Sequence, residues 1–523
     1  MATTTASDHH PLFSHTLLRP LGSAATACLL ALLGLAITIQ LPSATPLFGV
    51  VALGLLGAAA WMLFSERYEW SLAILMLYLG LADGFLKLKT GSSQATLLRD
   101  LLLYAIAVGA LARVAIRRES LSLPPLSGWV IAWLIVVAIQ IANPSNGTLA
   151  HSLASVRPHV EWVPLFFLGY LTVRSNARLR HFLLLLLLVG AVNGVVSLVQ
   201  FSISPEQLEG WGPGYERAIS GEGDVSARTF ADEEGNERNR PFALGGDFGF
   251  GGIVGLIAVP AALALLALSG GAAMRVATGF LSAGVVLAVA TSQARVAVLG
   301  AIVSVLVFAA LTVTSRAGVR TVIALTLTTL VAYATVNLLS SDAERGSFDR
   351  YQNISSPSEA VSTAYDYRRE TLARIPEYMA QIPLGAGIGS KGPAASVSGG
   401  ASGKGYDGES EPTFLLIELG LPGLIVMLGF NLALFWYSIT RIRRIEDKET
   451  RILLTALAAP LFALFVTWFV GVTTATVPGA PYLWFAGGVL SYWLLGEGRG
   501  AQRSRFSSSV AGPISERPRW SSG

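Results

Sequence analysis

The sequence predicts an all-α polytopic membrane protein with about fourteen transmembrane helices (roughly twelve to fourteen) and two long extracytoplasmic loops. Three observations lead there. Hydrophobic residues make up 52% of the 523 and charged residues only 13%, against about 25% charged in an average soluble domain; so little charge cannot coat a soluble globule of this size. The apolar residues gather in runs close to the ~20 residues that cross a hydrocarbon core. The arginines alternate with those runs in a regular way. Mean hydropathy is +0.57. This composition excludes a soluble enzyme, a disordered chain and a fibrous repeat.

The net charge of +4 is no nucleic-acid footprint, because the charges sit in short blocks between apolar runs, as cytoplasmic loops do. No nucleic-acid partner is expected. The single cysteine, Cys28, allows no intrachain disulfide and no Cys-rich metal site.

The apolar segments fall near 21–40, 44–64, 69–86, 96–112, 126–142, 160–173, 181–201, 247–268, 276–291, 295–314, 320–339, 412–438, 452–471 and 480–495. The first is read as a span and not as a cleaved leader, since no small-residue cleavage site precedes a soluble domain. The sixth is short and carries Pro164. The ninth and tenth form one stretch broken at Thr291-Ser-Gln-Ala-Arg295; at 1.5 Å per residue it is about twice too long for one crossing, which predicts a hairpin there. With the N-terminus inside, Arg113/Arg117/Arg118, Arg174/Arg178/Arg180, Arg316/Arg320, Arg441/Arg443/Arg444 and the tail after Arg499 all lie on the inner side, as the positive-inside rule asks. Both termini are then cytoplasmic.

The organisation follows: a cytoplasmic N-terminus over 1–20, a membrane bundle over 21–201, an outer loop over 202–246, helices with the Arg295 hairpin over 247–340, a large outer loop over 341–411, C-terminal helices over 412–496 and a Ser/Arg/Gly/Pro-rich tail over 497–523 that cannot bury a core. No solenoid repeat or internal duplication is evident.

The first outer loop is rich in charge and ends in Arg240-Pro-Phe-Ala-Leu-Gly-Gly-Asp247-Phe-Gly-Phe-Gly-Gly. Its glycines permit close approach of a helix or a ligand. The second is too long for a connector. Thr363–Gln381 shows helical spacing, with Pro376 as a bend, and Ile382-Pro-Leu-Gly-Ala-Gly-Ile-Gly-Ser390 is a Gly-rich turn. The chain returns to the membrane through Asp407-Gly-Glu409-Ser-Glu411 and on to Glu418-Leu-Gly420-Leu-Pro-Gly423.

Arg295 is the sharpest single feature, a charge at the corner of an apolar hairpin, where an ionisable group is costly and usually functional; the plain alternative is a snorkelling interfacial arginine. Arg157 sits at another outer mouth, either contacting a ligand or paired with Glu161. His151 and His159 lack partners at metal-ligand spacing, so no metal is expected. Ionisable residues otherwise keep away from the apolar segments; Asp83 and Arg99 lie near their ends. An arginine fork suits phosphate oxygens and a carboxylate suits deprotonation of a hydroxyl. Together these fit an enzyme that holds a lipid diphosphate and transfers what it carries. No nucleotide-binding motif is present for a cytoplasmic donor.

Four segments resemble the O-antigen ligase/polymerase superfamily of bacterial envelopes: the Thr291–Arg295 hairpin; Arg368 followed by a helix and Pro383-Leu-Gly-Ala-Gly-Ile-Gly; Glu409-Ser leading to Glu418-Leu-Gly420-Leu-Pro-Gly423; and Arg157 and Arg240 ahead of helices. The likeness covers roughly 150–430. It implies a GT-C-like, metal-independent, inverting glycosyltransferase without cofactor in the bacterial cytoplasmic membrane. Its donor would be an undecaprenyl-diphosphate-linked glycan, its acceptor a glycan or lipid, with chain-length or flippase proteins as possible partners beside membrane lipids. By the same likeness Arg295, Arg368 or Arg369, Arg240 and Arg157 would bind the diphosphate, Arg295 stabilising it as leaving group, and Glu409 would be the base, with Glu411 or Asp407 as the alternative. Ligases acting on lipid A core usually carry His where this chain has Glu409, which favours a polymerase. A transporter or flippase is the competing class, and a non-catalytic assembly protein the third.

Overall fold

A computed structural model describes residues 45–92, 94–117, 123–146, 148–221, 229–231, 237–312, 369, 371–392, 406 and 410–496. The structure is mostly helical, and seven of the described helical stretches are long and apolar enough to cross a membrane.

The helices are α1 (Thr45–Phe64), α2 (Tyr68–Leu77), α3 (Asp83–Thr90), α4 (Gln94–Arg117), α5 (Ser127–Ile141), α6 (Leu149–Val160), α7 (Pro164–Thr172), α8 (Asn176–Ser202), α9 (Pro205–Glu209), α10 (Pro213–Ser220), α11 (Phe250–Ala267), α12 (Ala272–Thr291), α13 (Arg295–Thr312), α14 (Ile375–Gln381), α15 (Glu411–Ile442), α16 (Lys448–Thr467) and α17 (Gly479–Leu495). Each expected apolar segment that falls on described residues coincides with one of them or with a pair; 21–40 and 320–339 lie outside the described residues. The expected hairpin is present, since α12 ends at Thr291 and α13 begins at Arg295. The short sixth segment, 160–173, is α7 with the turns at 161–163 that join it to α6, in which Val163 N–H donates to Val160 O and Phe166 N–H to Val163 O. Pro158 lies inside α6 and Pro164 opens α7, and a missing N–H is tolerated in that first turn. Pro376 likewise stands in the first turn of α14, and the helical residues 371–373 before it end at a turn at Arg374, so the expected helix is interrupted there.

The loop over 202–246, expected on the outer side, is not a plain solvated connector. It contains α9, α10 and a two-stranded antiparallel ladder, β1 (Thr229–Ala231) with β2 (Glu237–Asn239). Trp211, Tyr215, Leu208 and Ile219 pack there with Phe85 and Phe242 into a core of their own.

Helix α8 is the axis of the bundle and packs on both α11 and α12. Its Gly190 and Gly194 are four apart, the small-residue spacing that lets helices close in. A Cβ on Gly194 would lie 1.8 Å from Gly284 O of α12. Between α2 and α3 one π-helical turn, Tyr78–Ala82, intervenes. The Gly80 carbonyl in that turn accepts from the buried Asn193 Nδ2 of α8 at 2.8 Å.

Among the described residues, several arginines expected on the inner side bond or pair with neighbouring segments. Arg113 donates to Leu63 O and Tyr68 Oη. Arg178 pairs with Glu69 and Arg180 with Glu449. Arg443 donates to Ala310 O, and Arg441 to Leu494 O. Asp447 caps α16, accepting from Thr450 N–H at 2.9 Å and from Asn176 Nδ2 at 3.2 Å. Partial burial acts to raise the Asp447 carboxyl, but the bonds from Thr450 and Asn176 outweigh it and hold the pKa below the usual aspartate value. A depressed carboxylate stabilises above its unfolded pKa and loses that contribution as pH falls through the folded one. Asp447→Ala should therefore cost about 1 kcal/mol, the usual worth of a cap, at neutral pH. The difference from wild type should shrink at acid pH when thermal unfolding is followed in detergent; a pH-independent difference would count against the carboxylate as its source.

Candidate functional site

Three arrangements are built from the sequence features that stood out.

The first is the corner between Arg240 and Arg295. The segment 241–249 is held by two buried amides on α8. Gln200 Oε1 accepts from Phe242 N–H at 2.9 Å and Ala243 N–H at 2.7 Å, and its Nε2 donates to Ala243 O. Asn193 Oδ1 accepts from Leu244 N–H. Asn239 Nδ2 donates back to Gln200 O and Ile203 O. These bonds explain polar residues in a leucine-rich helix, since a buried irregular backbone must find partners. Asn193, Ser197 and Gln200 recur at helical spacing on one face, a signal the sequence carried that went unused. Ser197 accepts in turn from Thr291 Oγ1 at 2.7 Å.

Arg240 lies over the Phe248 ring, 5.3 Å to the centroid. Gly249 N–H donates to Pro241 O, and a Cβ on Gly249 would meet Ala294 Cβ at 3.2 Å. A Cβ on Gly252 would lie 2.6 Å from Ser292 Oγ. The glycines therefore serve close approach to the hairpin, and they bring the segment that follows Arg240 against the residue that precedes Arg295. Gln293 makes the turn with φ of 54°.

The second is the Gly-rich loop seated on a break in α15. Gly385, Gly387, Gly389 and Gly392 all have positive φ, as does Gly420, where α15 is interrupted with ψ of −170°. Only glycine adopts such backbone freely. Across this break Leu421 N–H donates to Pro383 O at 2.8 Å and Ala386 N–H to Ile417 O at 2.6 Å. The Glu418 carboxylate is fully buried. Its Oε2 accepts from Gly389 N–H and its Oε1 from Lys391 N–H, both at 2.7 Å. His159 Nε2 lies 3.3 Å from Oε2, and the His159 ring stacks on Phe414. A Cβ on Gly389 would strike Ser155 Oγ and His151 Nε2. Gln140 donates to Leu384 O. The two glycine motifs thus form one knot, with α5 and α6 behind it.

The third is a network of buried charge. Arg99 reaches Glu161 at 2.8 Å, Asp100 at 3.2 Å and Asp83 at 3.6 Å, and it lies 5.0 Å from the Trp162 ring centroid. Arg157 reaches Asp100 at 2.8 Å and Glu161 at 3.1 Å. These charges lie at or near the ends of the apolar segments, as expected of Asp83 and Arg99, but the sequence did not show that they are buried together. Sequence separation hid the network, since Arg99 and Glu161 are 62 positions apart. It also places Arg157: its guanidinium is shared between Glu161, the i+4 partner that spacing pointed to, and Asp100.

Glu411 is fully buried. Its carboxylate accepts from Thr473 N–H at 2.6 Å and Thr474 N–H at 2.9 Å and also bonds the hydroxyl of Thr474. Fully buried and held this way, it ties α15 to the 468–478 turn, which suits a structural lock better than a base. Arg369 is exposed. Arg368, Asp407 and Glu409 lie outside the described residues.

The arrangements share structural elements. Arg157 and His159 share α6, Glu411 and Glu418 share α15, and Val477 packs beside Phe250, Val189 and Val254. Among the described residues no group of His, Cys, Asp or Glu is arranged to hold a metal ion. No protein-family model matches the chain, and no curated protein matches it either.

Proposed function

We propose that this protein is a glycosyltransferase of the outer face of a bacterial cytoplasmic membrane, polymerising repeat units carried on undecaprenyl diphosphate. The proposed topology is about fourteen spans in a GT-C-like arrangement with both termini cytoplasmic. The observation that carries the reading is the knot of Gly385–Gly389 on the broken helix at Gly420 through Glu418. It joins two segments that the family resemblance rests on.

In the proposed step an acceptor sugar hydroxyl attacks the anomeric carbon of the lipid-linked glycan. The new C–O bond forms as the bond from that carbon to the diphosphate oxygen breaks, and the configuration inverts. The hydroxyl proton passes to a carboxylate, assigned to Glu409 because Glu411 is occupied by Thr473 and Thr474. Arg295 with Arg240 and Arg368 or Arg369 stabilises the diphosphate as it leaves. Arg157 acts behind them, its charge already shared. An apolar recess lined by Leu75, Leu79, Phe182, Val254, Val477 and Tyr482 offers room for part of a prenyl chain.

The test is the lipid-linked glycan profile of a deletion strain complemented with Arg295→Ala, Arg368→Ala or Glu409→Ala. Single repeat units should accumulate on undecaprenyl diphosphate while long chains vanish, with the variant proteins still in the membrane. Normal polymer from all three variants defeats the proposal. Long chains that remain on the carrier point to a ligase, with transfer to a lipid A core or another acceptor. A second reading, a transporter or flippase of polysaccharide precursors, is favoured by one observation, the buried network of Asp83, Arg99, Asp100, Arg157 and Glu161, because ionisable groups among membrane helices often mark translocation paths. Repeat units confined to the inner leaflet in the deletion strain would support it.

A further inference from the structure

Gln293 combines two costs at one residue. It adopts a left-handed backbone, φ 54°, which favours glycine or asparagine over a longer side chain. Its side chain is 3% exposed, and both the amide oxygen and the amide nitrogen are buried with no hydrogen-bond partner among the described residues. Buried amides are nearly always bonded, so an amide left wholly unmatched calls for an explanation. The turn itself supplies none, because Gly or Asn would make it more cheaply. Neighbouring Ser292, by contrast, is satisfied, donating to Val289 O.

The location is informative. Gln293 stands two residues before Arg295, in a corner closed by the Gly249–Gly252 segment that follows Arg240. A carboxamide offers two N–H donors and an acceptor oxygen. A bare diphosphate supplies acceptors only. A ligand that matches both ends of the amide must present an acceptor oxygen and a hydroxyl donor together, as the junction of a sugar with its phosphate does.

We infer that Gln293 is a specificity-determining contact of the donor site, its amide bridging a phosphate oxygen and a sugar hydroxyl of a glycosyl diphosphate so that a loaded carrier is told from an empty one. This rests on the proposed function, and it goes further in giving the site a means to discriminate its substrate from the diphosphate product that must leave.

The experiment measures binding to the full-length protein in detergent by native mass spectrometry. The probes are a short-chain prenyl diphosphate and the same lipid bearing one N-acetylhexosamine. Wild type should prefer the glycosylated probe. Gln293→Met, close in shape and free of the unmatched amide, should weaken the glycosylated probe by about tenfold, the usual worth of a neutral hydrogen bond, and remove the preference. It should melt no lower than wild type. Gln293→Asn, which shortens the reach of the amide, should also lose the preference and guards against a folding failure in the first variant. Arg295→Ala should weaken both probes. If both Gln293 variants keep the preference while Arg295→Ala loses binding, the inference is overturned and the diphosphate site stands. A lowered melting temperature in Gln293→Met with the preference intact would assign the amide to an internal water and likewise overturn it. Failure of wild type to bind either probe overturns the inference together with the function it rests on.

Discussion

Arg99→Met is expected to destabilise the protein by about 3–5 kcal/mol, the usual cost of removing one partner from a buried charge network. Three carboxylates, on Asp83, Asp100 and Glu161, share two guanidinia, on Arg99 and Arg157. Without Arg99, the Arg157 fork alone must serve Asp100 and Glu161, and Asp83 loses its ion pair with Arg99. The cation–π contact with Trp162 goes too, adding about 0.5–2 kcal/mol. Methionine fills most of the volume, so a cavity is not the cause. Thermal unfolding in detergent reads the effect, with exposed Arg67→Met as a control expected within about 0.5 kcal/mol of wild type. Because the network is buried, added salt should change the loss little. Restoring charge balance with Arg99→Met/Glu161→Gln should recover part of it, since neighbours in one network are not additive. A single variant that melts with wild type would show that these charges contribute no net stability.

Glu418→Ala should release the Gly-rich loop. Two backbone donors, of Gly389 and Lys391, lose their acceptor in a fully buried place, and His159 loses its neighbour. Each orphaned donor costs about 1–3 kcal/mol. The expected signature is local: faster hydrogen exchange over 385–391 and new protease sensitivity there, with the α8, α11 and α12 core unchanged. Glu418→Gln keeps one acceptor oxygen but turns an N–H₂ group towards a donor, so it should fall between. On the proposed function, a Glu418 that only positions the loop predicts polymer lowered in both variants in proportion to the released loop. Unchanged exchange over 385–391 in Glu418→Ala would sink this account.

Much of the scaffold was legible because it rests on long apolar runs. The segment read as 181–201 is α8 at Asn176–Ser202, and 412–438 is α15 at Glu411–Ile442. A run too long for one crossing, interrupted by Thr291-Ser-Gln-Ala-Arg295, required the hairpin that α12 and α13 make. The positive-φ glycines of the 382–392 loop and Gly420 were visible as a pattern, since no other residue enters that region at low cost. The i+4 spacing of Arg157 and Glu161 already offered their ion pair.

What stayed hidden depends on partners remote in sequence. Glu418 reads as an acid inside an apolar lead-in, and only the fold shows that it clamps a loop 29 positions earlier. Glu411 reads as a spare base until Thr473 and Thr474 arrive to occupy it. Asn193 and Gln200 read as breaks in a hydrophobic helix until the irregular backbone at 242–244 needs their amides.

By itself, then, the sequence determined that this chain is a helical membrane protein, where its apolar helices run and where it must turn, because those follow from local hydropathy and backbone permissiveness. Only the tertiary structure decided which polar groups are committed to the scaffold and which are left with unmatched chemistry, as at Gln293, because hydrogen bonds and ion pairs between distant segments are specified by three-dimensional approach and by nothing in the local pattern.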